Sequence, residues 1–164
     1  MNSNSDSEFR TSRGYQKISQ QEGQLSSAEE DYLEMICRLC GRGGYARVGK
    51  LSEMLHVKPS SASKMIGKLA EMGYVKYDRY EIILLTEEGQ KAGAYLLERH
   101  RILEEFLTRI GSRNPLEETE LIEHSLSAQT VDRLNDLLTF FRTDEQAFLR
   151  FQTLREKRAD ETKP

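Results

Sequence analysis

The sequence predicts a mainly α-helical chain with one small β-hairpin. Three observations carry that prediction. Apolar residues recur at i, i+3, i+4 and i+7 along most of the chain from residue 27 onward. One pair of β-rich runs, 74–77 and 82–85, brackets the polar tetrapeptide Asp78-Arg79-Tyr80-Glu81. The composition, 31% charged and 37% hydrophobic over 164 residues, suits one or two small domains with enough chain to bury a core without disulfides. No run approaches the ~18 apolar residues of a membrane span, and no signal peptide is expected at the N-terminus.

Residues 1–26 are polar, rich in Ser and Gln, and lack helical spacing, so they are expected to form a disordered or partly helical extension. Order is expected from Ser27, where Ser27-Ala-Glu-Glu30 fits a capping box. Leu33, Ile36, Leu39 and Cys40 then make a helical face that Gly41, Gly43 and Gly44 stop near residue 41. Val48, Leu51 and Leu55 predict a short second helix. His56-Val57-Lys58 is a tight link, and Pro59 fits the first position of a third helix. In that helix Ala62, Met65, Ile66 and Leu69 face inward, leaving Ser60, Ser61, Ser63, Lys64 and Lys68 outside; Gly73 ends it. The hairpin follows. Helix, helix-turn-helix, then hairpin is the order of a winged helix. Thr86 is expected to cap a long helix over about 87–110, ended by Gly111. Shorter helices are expected from Pro115 to about Leu126 and from Ser127 to Phe141, with a final helix after Asp144 that frays near Arg158.

The net charge of −3 argues at first against a nucleic-acid partner. Split along the chain it argues the reverse. Residues 1–41 carry −3 and residues 81–164 carry −5, but residues 42–80 hold 8 Lys/Arg against 3 Asp/Glu, a net of +5. Small domains fluctuate by a few charges, and exposed lysines also serve as plain solvation. The alternative is a phosphate-facing surface made by Arg47, Lys50, Lys58, Lys64, Lys68 and Arg79. Short serines and two lysines on the outer face of the third helix suit major-groove contact, and Arg79 at the hairpin tip suits the minor groove or a backbone contact.

The chain has three histidines. Asp31 and Glu34 share one face of the first helix; Glu120, Glu123 and His124 share one face of a later one; His100 lies in the long helix. Each piece alone has a plainer role, as a helix-dipole carboxylate, a solvated face or a packed imidazole. Together they make a divalent-ion site a candidate. Hard oxygen with imidazole nitrogen suits Mn²⁺, Fe²⁺ or Zn²⁺. Four carboxylates would be neutralised by two such ions if all six residues converge. Cys37 and Cys40 form C-x-x-C inside a helix, without two further ligands nearby for zinc, and read as packing residues in a reduced cytoplasm. No hydrolytic triad, P-loop or dinucleotide fingerprint is present. Two other classes fit parts of the pattern: a helical di-metal carboxylate enzyme, and a winged-helix interaction module that binds no metal.

The stretches EEDYLEMICRL (29–39), GYAR (44–47), VKPSSASKMIGKLAEMGYV (57–75), LLTEEGQKAG (84–93), ERHRILEEFLTRIG (98–111) and ELIEHSLS (120–127) resemble the manganese-responsive type of the diphtheria toxin repressor family over about residues 27–142. The resemblance implies a winged-helix DNA-binding domain at 27–86, a helical metal-binding and dimerisation domain at 87–142 with 87–110 as linking helix, and a C-terminal helix or frayed tail at 143–164. It implies that Asp31, Glu34, His100, Glu120, Glu123 and His124 bind two Mn²⁺ per subunit, with Fe²⁺ or Zn²⁺ as other possible ions. Asp31 and Glu123 stand where the iron-responsive type has Met and Cys. Ser125 departs from the family, many members of which have a second His there, and the loop at 112–119 is slightly compressed. The implied function is a cytoplasmic, homodimeric, Mn²⁺-activated repressor of manganese uptake genes, binding double-stranded operator DNA and neither a membrane nor a small-molecule substrate, and not an enzyme. The DNA surface then comprises Arg47, Lys50, Lys58, Ser60, Ser61, Ser63, Lys64, Lys68 and Arg79.

Overall fold

The structure, a computed structural model, describes residues 24–78, 80 and 82–161. The expected disorder of 1–26 therefore lies, up to residue 23, outside the described residues, as does Arg79. The chain divides into two compact units between Leu96 and Leu97. Among the described residues no helix is long and apolar enough to cross a membrane.

The first unit opens with α1 (Ser27–Gly43). Its capping box lies one residue earlier than the sequence suggests. Ser26, not Ser27, is the N-cap: its hydroxyl accepts from Glu29 N at 3.4 Å, and Glu29 Oε2 accepts from Ser26 N at 2.7 Å. The earlier start lets Leu25 pack on the core. The helix continues past residue 41 to Gly43, and Gly44 caps it at φ 79°. Strand β1 (Ala46–Arg47) follows, then α2 (Val48–Met54) and α3 (Pro59–Glu71), with Pro59 in the first turn as expected. Strands β2 (Val75–Tyr77) and β3 (Ile82–Leu85) form the hairpin, with Val75 opposite Leu85 and Tyr77 opposite Ile83. Asp78 closes its turn by accepting from Tyr80 N and Ile82 N at 2.9 and 3.1 Å. Strand β1 adds antiparallel to β3, giving the order β1-β3-β2. Two residues are too few to show a β period, so the sequence does not betray β1. Leu33, Ile36, Leu51, Ala62, Ile66, Leu69 and Ile83 make the core, all fully buried.

Three helix ends among the described residues close in the same way. After α3, Tyr74 N donates to Leu69 O and Gly73 N to Ala70 O; after α2, Val57 N donates to Ser52 O and His56 N to Glu53 O. The pattern repeats at Gly111 after the next helix, α4 (Glu87–Ile110). It satisfies the last carbonyls and requires a left-handed residue. Gly73 (φ 85°) and Gly111 (φ 82°) supply it without strain, while in the helix-turn-helix link His56 does so at φ 53°. Thr86 caps α4 as expected. Its hydroxyl accepts from Gly89 N at 3.0 Å and donates to Gly73 O at 2.6 Å. A Cβ on Gly89 would lie 1.9 Å from Tyr74 O, so the start of α4 lies against the hairpin only because that position is glycine.

The second unit comprises α4 from Leu97, α5 (Pro115–Ile122), a 3₁₀ turn (Glu123–Ser125), α6 (Ala128–Thr143) and α7 (Glu145–Glu161). The helix expected to reach Leu126 stops at Ile122. The tighter turn carries the chain to Leu126, which packs with Phe106 and Leu134 on buried Ile102, Val131 and Leu138. Ser127 caps α6, accepting from Thr130 N. The Phe141 ring lies 5.5 Å from Phe148 and 5.4 Å from Phe151, joining α6 to α7. Glu105 on α4 takes both Nε and Nη2 of Arg142 on α6. The Arg142 hydrogen bond outweighs desolvation and holds the Glu105 carboxyl below its usual pKa.

Because His56 is held at positive φ, substitutions there separate by backbone preference. His56→Gly is expected to change the unfolding free energy by less than ~1 kcal/mol, and β-branched His56→Val to lower it by about 1–2 kcal/mol. Chemical denaturation measures both. Equal effects would show that the backbone at 56 is not the constraint.

Candidate functional site

In the second unit, α4 and the segment after it bring three of the six candidate donors, His100, Glu120 and Glu123, toward one another. His100 sits on the buried face of α4, beside core residues Ile102 and Leu103. Its Nδ1 lies 3.3 Å from Glu123 Oε2 and 3.9 Å from Glu120 Oε1, and its Nε2 lies 3.8 Å from Glu104 Oε2. Glu123 opens the 3₁₀ turn and is 1% exposed. Its Oε2 accepts no hydrogen bond among the described residues. Glu120 is exposed on α5, and His124 is half-buried.

An arginine that residue type and spacing do not mark as a site residue completes this group. Arg99 precedes His100 and is 3% exposed. Its Nε lies 3.9 Å from Glu123 Oε2, and its Nη2 3.3 Å from His124 Nδ1. Its position inside the ERH stretch was the available signal. The residue type and family resemblance that mark His100 as a donor do not say that its neighbour also turns inward. A buried carboxylate needs a compensating cation, and Arg99 is the nearest guanidinium to Glu123 in the salt bridges of this unit.

In the first unit, Asp31 and Glu34 occupy α1. Asp31 is exposed; Glu34 is buried and accepts from Arg38 Nη2 at 2.6 Å and Nε at 3.1 Å. Between them and the chain start, buried Glu29 forms an ion pair with Lys68 of α3. Burial pulls the Glu29 pKa up, but the bonds from Lys68 and Ser26 outweigh it and hold the carboxyl below its usual value.

Of the candidate DNA contacts, Arg47, Lys50, Lys58, Ser60, Ser61, Lys64 and Lys68 are exposed, and Ser63 is half-buried. Arg47 lies over the Tyr45 ring, 5.4 Å from its centroid, and Lys50 pairs with Glu53 at 3.0 Å. The two cysteines behave as packing residues. Burial raises both thiols above their usual pKa, Cys40 faces Ile83 O, and a Cβ on Gly93 would meet Cys37 Sγ at 2.8 Å. Neither thiol has the lowered pKa of a redox or metal-binding cysteine.

Residues 24–82 match the family described as "Iron dependent repressor, N-terminal DNA binding domain", and residues 86–147 match "Iron dependent repressor, metal binding and dimerisation domain". A protein of Oceanobacillus iheyensis named HTH-type transcriptional regulator MntR is 44% identical over 118 residues, 71% of this chain and 80% of that protein. One of the same name from Geobacillus kaustophilus is 43% identical over 129 residues, 77% of this chain and 89% of that protein. Among solved structures, the manganese regulator SloR is similar at 32% identity and a TM-score of 0.59, and the IdeR of T. acidophilum at 28% and 0.61. Each similarity covers 68% of this chain and 54% of the solved one, so the chain spans about half the length of those two structures. These relatives are regulators by name, not enzymes.

The Arg99–Glu123 pair makes a stability prediction. In the presence of a chelator, Arg99→Leu is expected to lower the unfolding free energy by about 3 kcal/mol, because it leaves a buried carboxylate uncompensated. Denaturant titration measures this, and a loss below ~1 kcal/mol would show that Arg99 does not balance Glu123.

Proposed function

The chain belongs to the iron-dependent repressor family of metal-dependent DNA-binding regulators, and from that premise we propose that it is a Mn²⁺-activated repressor of manganese uptake genes. It acts as a cytoplasmic homodimer on operator DNA. The observation that carries the metal assignment is the buried Glu123 Oε2, which accepts no hydrogen bond among the described residues and has an imidazole nitrogen 3.3 Å away. A buried polar atom in that state fits an ion-binding role.

Asp31, Glu34, His100, Glu120, Glu123 and His124 would hold the metal. Four carboxylates and two imidazoles, with no thiolate or thioether, fit Mn²⁺, Fe²⁺ and Zn²⁺. The names of the relatives favour Mn²⁺. Two divalent ions balance four carboxylates, so two per subunit is the stoichiometry. When bound, the ions supply the positive charge that offsets these carboxylates. The protein's own groups do the rest. Glu123 and His100 form a buried pair of donors, Arg99 balances charge beside them, and Glu120 contributes from the exposed side. Residues 27–86 read DNA, and residues 87–142 bind metal and dimerise. The serines at the start of α3, with Lys58 and Lys64, meet the major groove, and Arg47 and Lys50 meet phosphates. Metal and DNA affinities are linked reciprocally, because both ligands favour the same state.

The test is a gel-shift titration on a duplex selected from a random-sequence library by the Mn²⁺-loaded protein. DNA affinity is expected to be at least tenfold higher with Mn²⁺ than with chelator, and equal affinities would sink the reading. At saturating Mn²⁺, Lys64→Ala is expected to weaken binding and reduce the slope of log K against log salt by about 1. An unchanged slope would move the phosphate contact elsewhere.

A further inference from the structure

Lys68 lies in the last turn of α3, on the outward face that suits DNA, yet its ammonium is not directed to solvent alone. It pairs with Glu29 in the first turn of α1. The two partners are unequal. The Glu29 side chain is 3% exposed and the Lys68 side chain 59%. A carboxylate buried to that degree is costly without a cation, whereas the lysine has water available either way. The pair therefore matters to Glu29 more than to Lys68. Glu29 is also the capping-box residue of α1, its other oxygen taken by Ser26 N at 2.7 Å. A carboxylate in a helix's first turn and an ammonium in another helix's last turn both agree with the helix dipoles. Beneath the pair, Leu33 and Ile36 of α1 share one core with Ile66 and Leu69 of α3. Lys58 and Lys64 are exposed as Lys68 is, but form no ion pair among the described residues.

We propose that Lys68 is a positioning residue: through Glu29 it fixes the recognition helix α3 to α1, the helix that carries Asp31 and Glu34, and it is not a phosphate contact. The inference rests on the metal-dependent DNA-binding reading above and deepens it. It gives one route, inside a single unit, by which order at the start of α1 reaches the helix that reads DNA.

Glu29→Gln is the informative variant, because Gln also serves in a capping box, so the α1 start survives while the ion pair is lost and Lys68 is released. The two roles of Lys68 then predict opposite signs. DNA affinity is measured on the selected duplex at saturating Mn²⁺ over a range of salt for the parent, Glu29→Gln, Lys68→Gln and the double variant. For a positioning residue, each single variant binds about tenfold more weakly with the parent's salt slope, and the double variant is no worse than either single. If Glu29→Gln binds as tightly as the parent or tighter, or if Lys68→Gln lowers the slope by about 1, the proposal is overturned. Calorimetric titration with Mn²⁺ keeps the two readings apart: a parent that takes up no Mn²⁺ sinks the metal reading. In that case the same four proteins are compared, without metal, on a duplex selected by the metal-free parent. Non-additive losses there still support the tie between helices, and additive ones overturn it.

Discussion

Glu123 sets the terms for the second unit. A carboxylate that is 1% exposed must meet positive charge, hydrogen-bond donors or a metal ion, and the chain around it is arranged accordingly. Helix α4 turns two consecutive polar residues, Arg99 and His100, onto a buried face that otherwise carries Leu96, Ile102 and Leu103. Helix α5 stops at Ile122, so that Glu123 enters through a tight turn and Leu126 can reach the core. Ser127 then restarts the chain as α6. Continuing α5 through this region would have kept a smoother helix at the expense of the core position of Leu126.

The first unit answers to a different constraint, the exact ending of helices. Its helix-turn-helix needs a left-handed residue directly after α2, and the return into the hairpin needs one after α3. Thr86 and Gly89 then bind the start of α4 to the end of that same turn. These local closures leave little freedom for the outward face of α3. The family model matched by residues 24–82 describes a DNA-binding domain, and on the outward face of α3 the Glu29–Lys68 pair ties one of the basic side chains to α1.

Much of this was legible in the amino-acid order. Pro59, Gly73, Thr86, Gly111 and Ser127 each mark a helix boundary that the structure repeats, because capping and chain reversal depend on neighbours within a few residues. The candidate donors were legible as residue types at helical spacing, and the structure brings His100 close to Glu123 and Glu120. Strand β1 was not legible, since its two residues pair with β3 far along the chain, Ala46 opposite Ile83 and Arg47 opposite Ile82. The one-residue shift of the α1 cap was not legible either, because Ser26 and Ser27 are equivalent by type, as are Glu29 and Glu30 three residues on.

By itself, the sequence determined the helical winged-helix order, the segregation of positive charge into residues 42–80 and the family to which the chain belongs. Those properties are local or additive along the chain. Only the tertiary structure decided which charges are committed to one another: Glu29 to Lys68, Glu34 to Arg38, Glu123 to Arg99. The reason is burial. A carboxylate in water is nearly indifferent to its partner, and the same group placed under a helix becomes dependent on the positive charge that packing brings within reach.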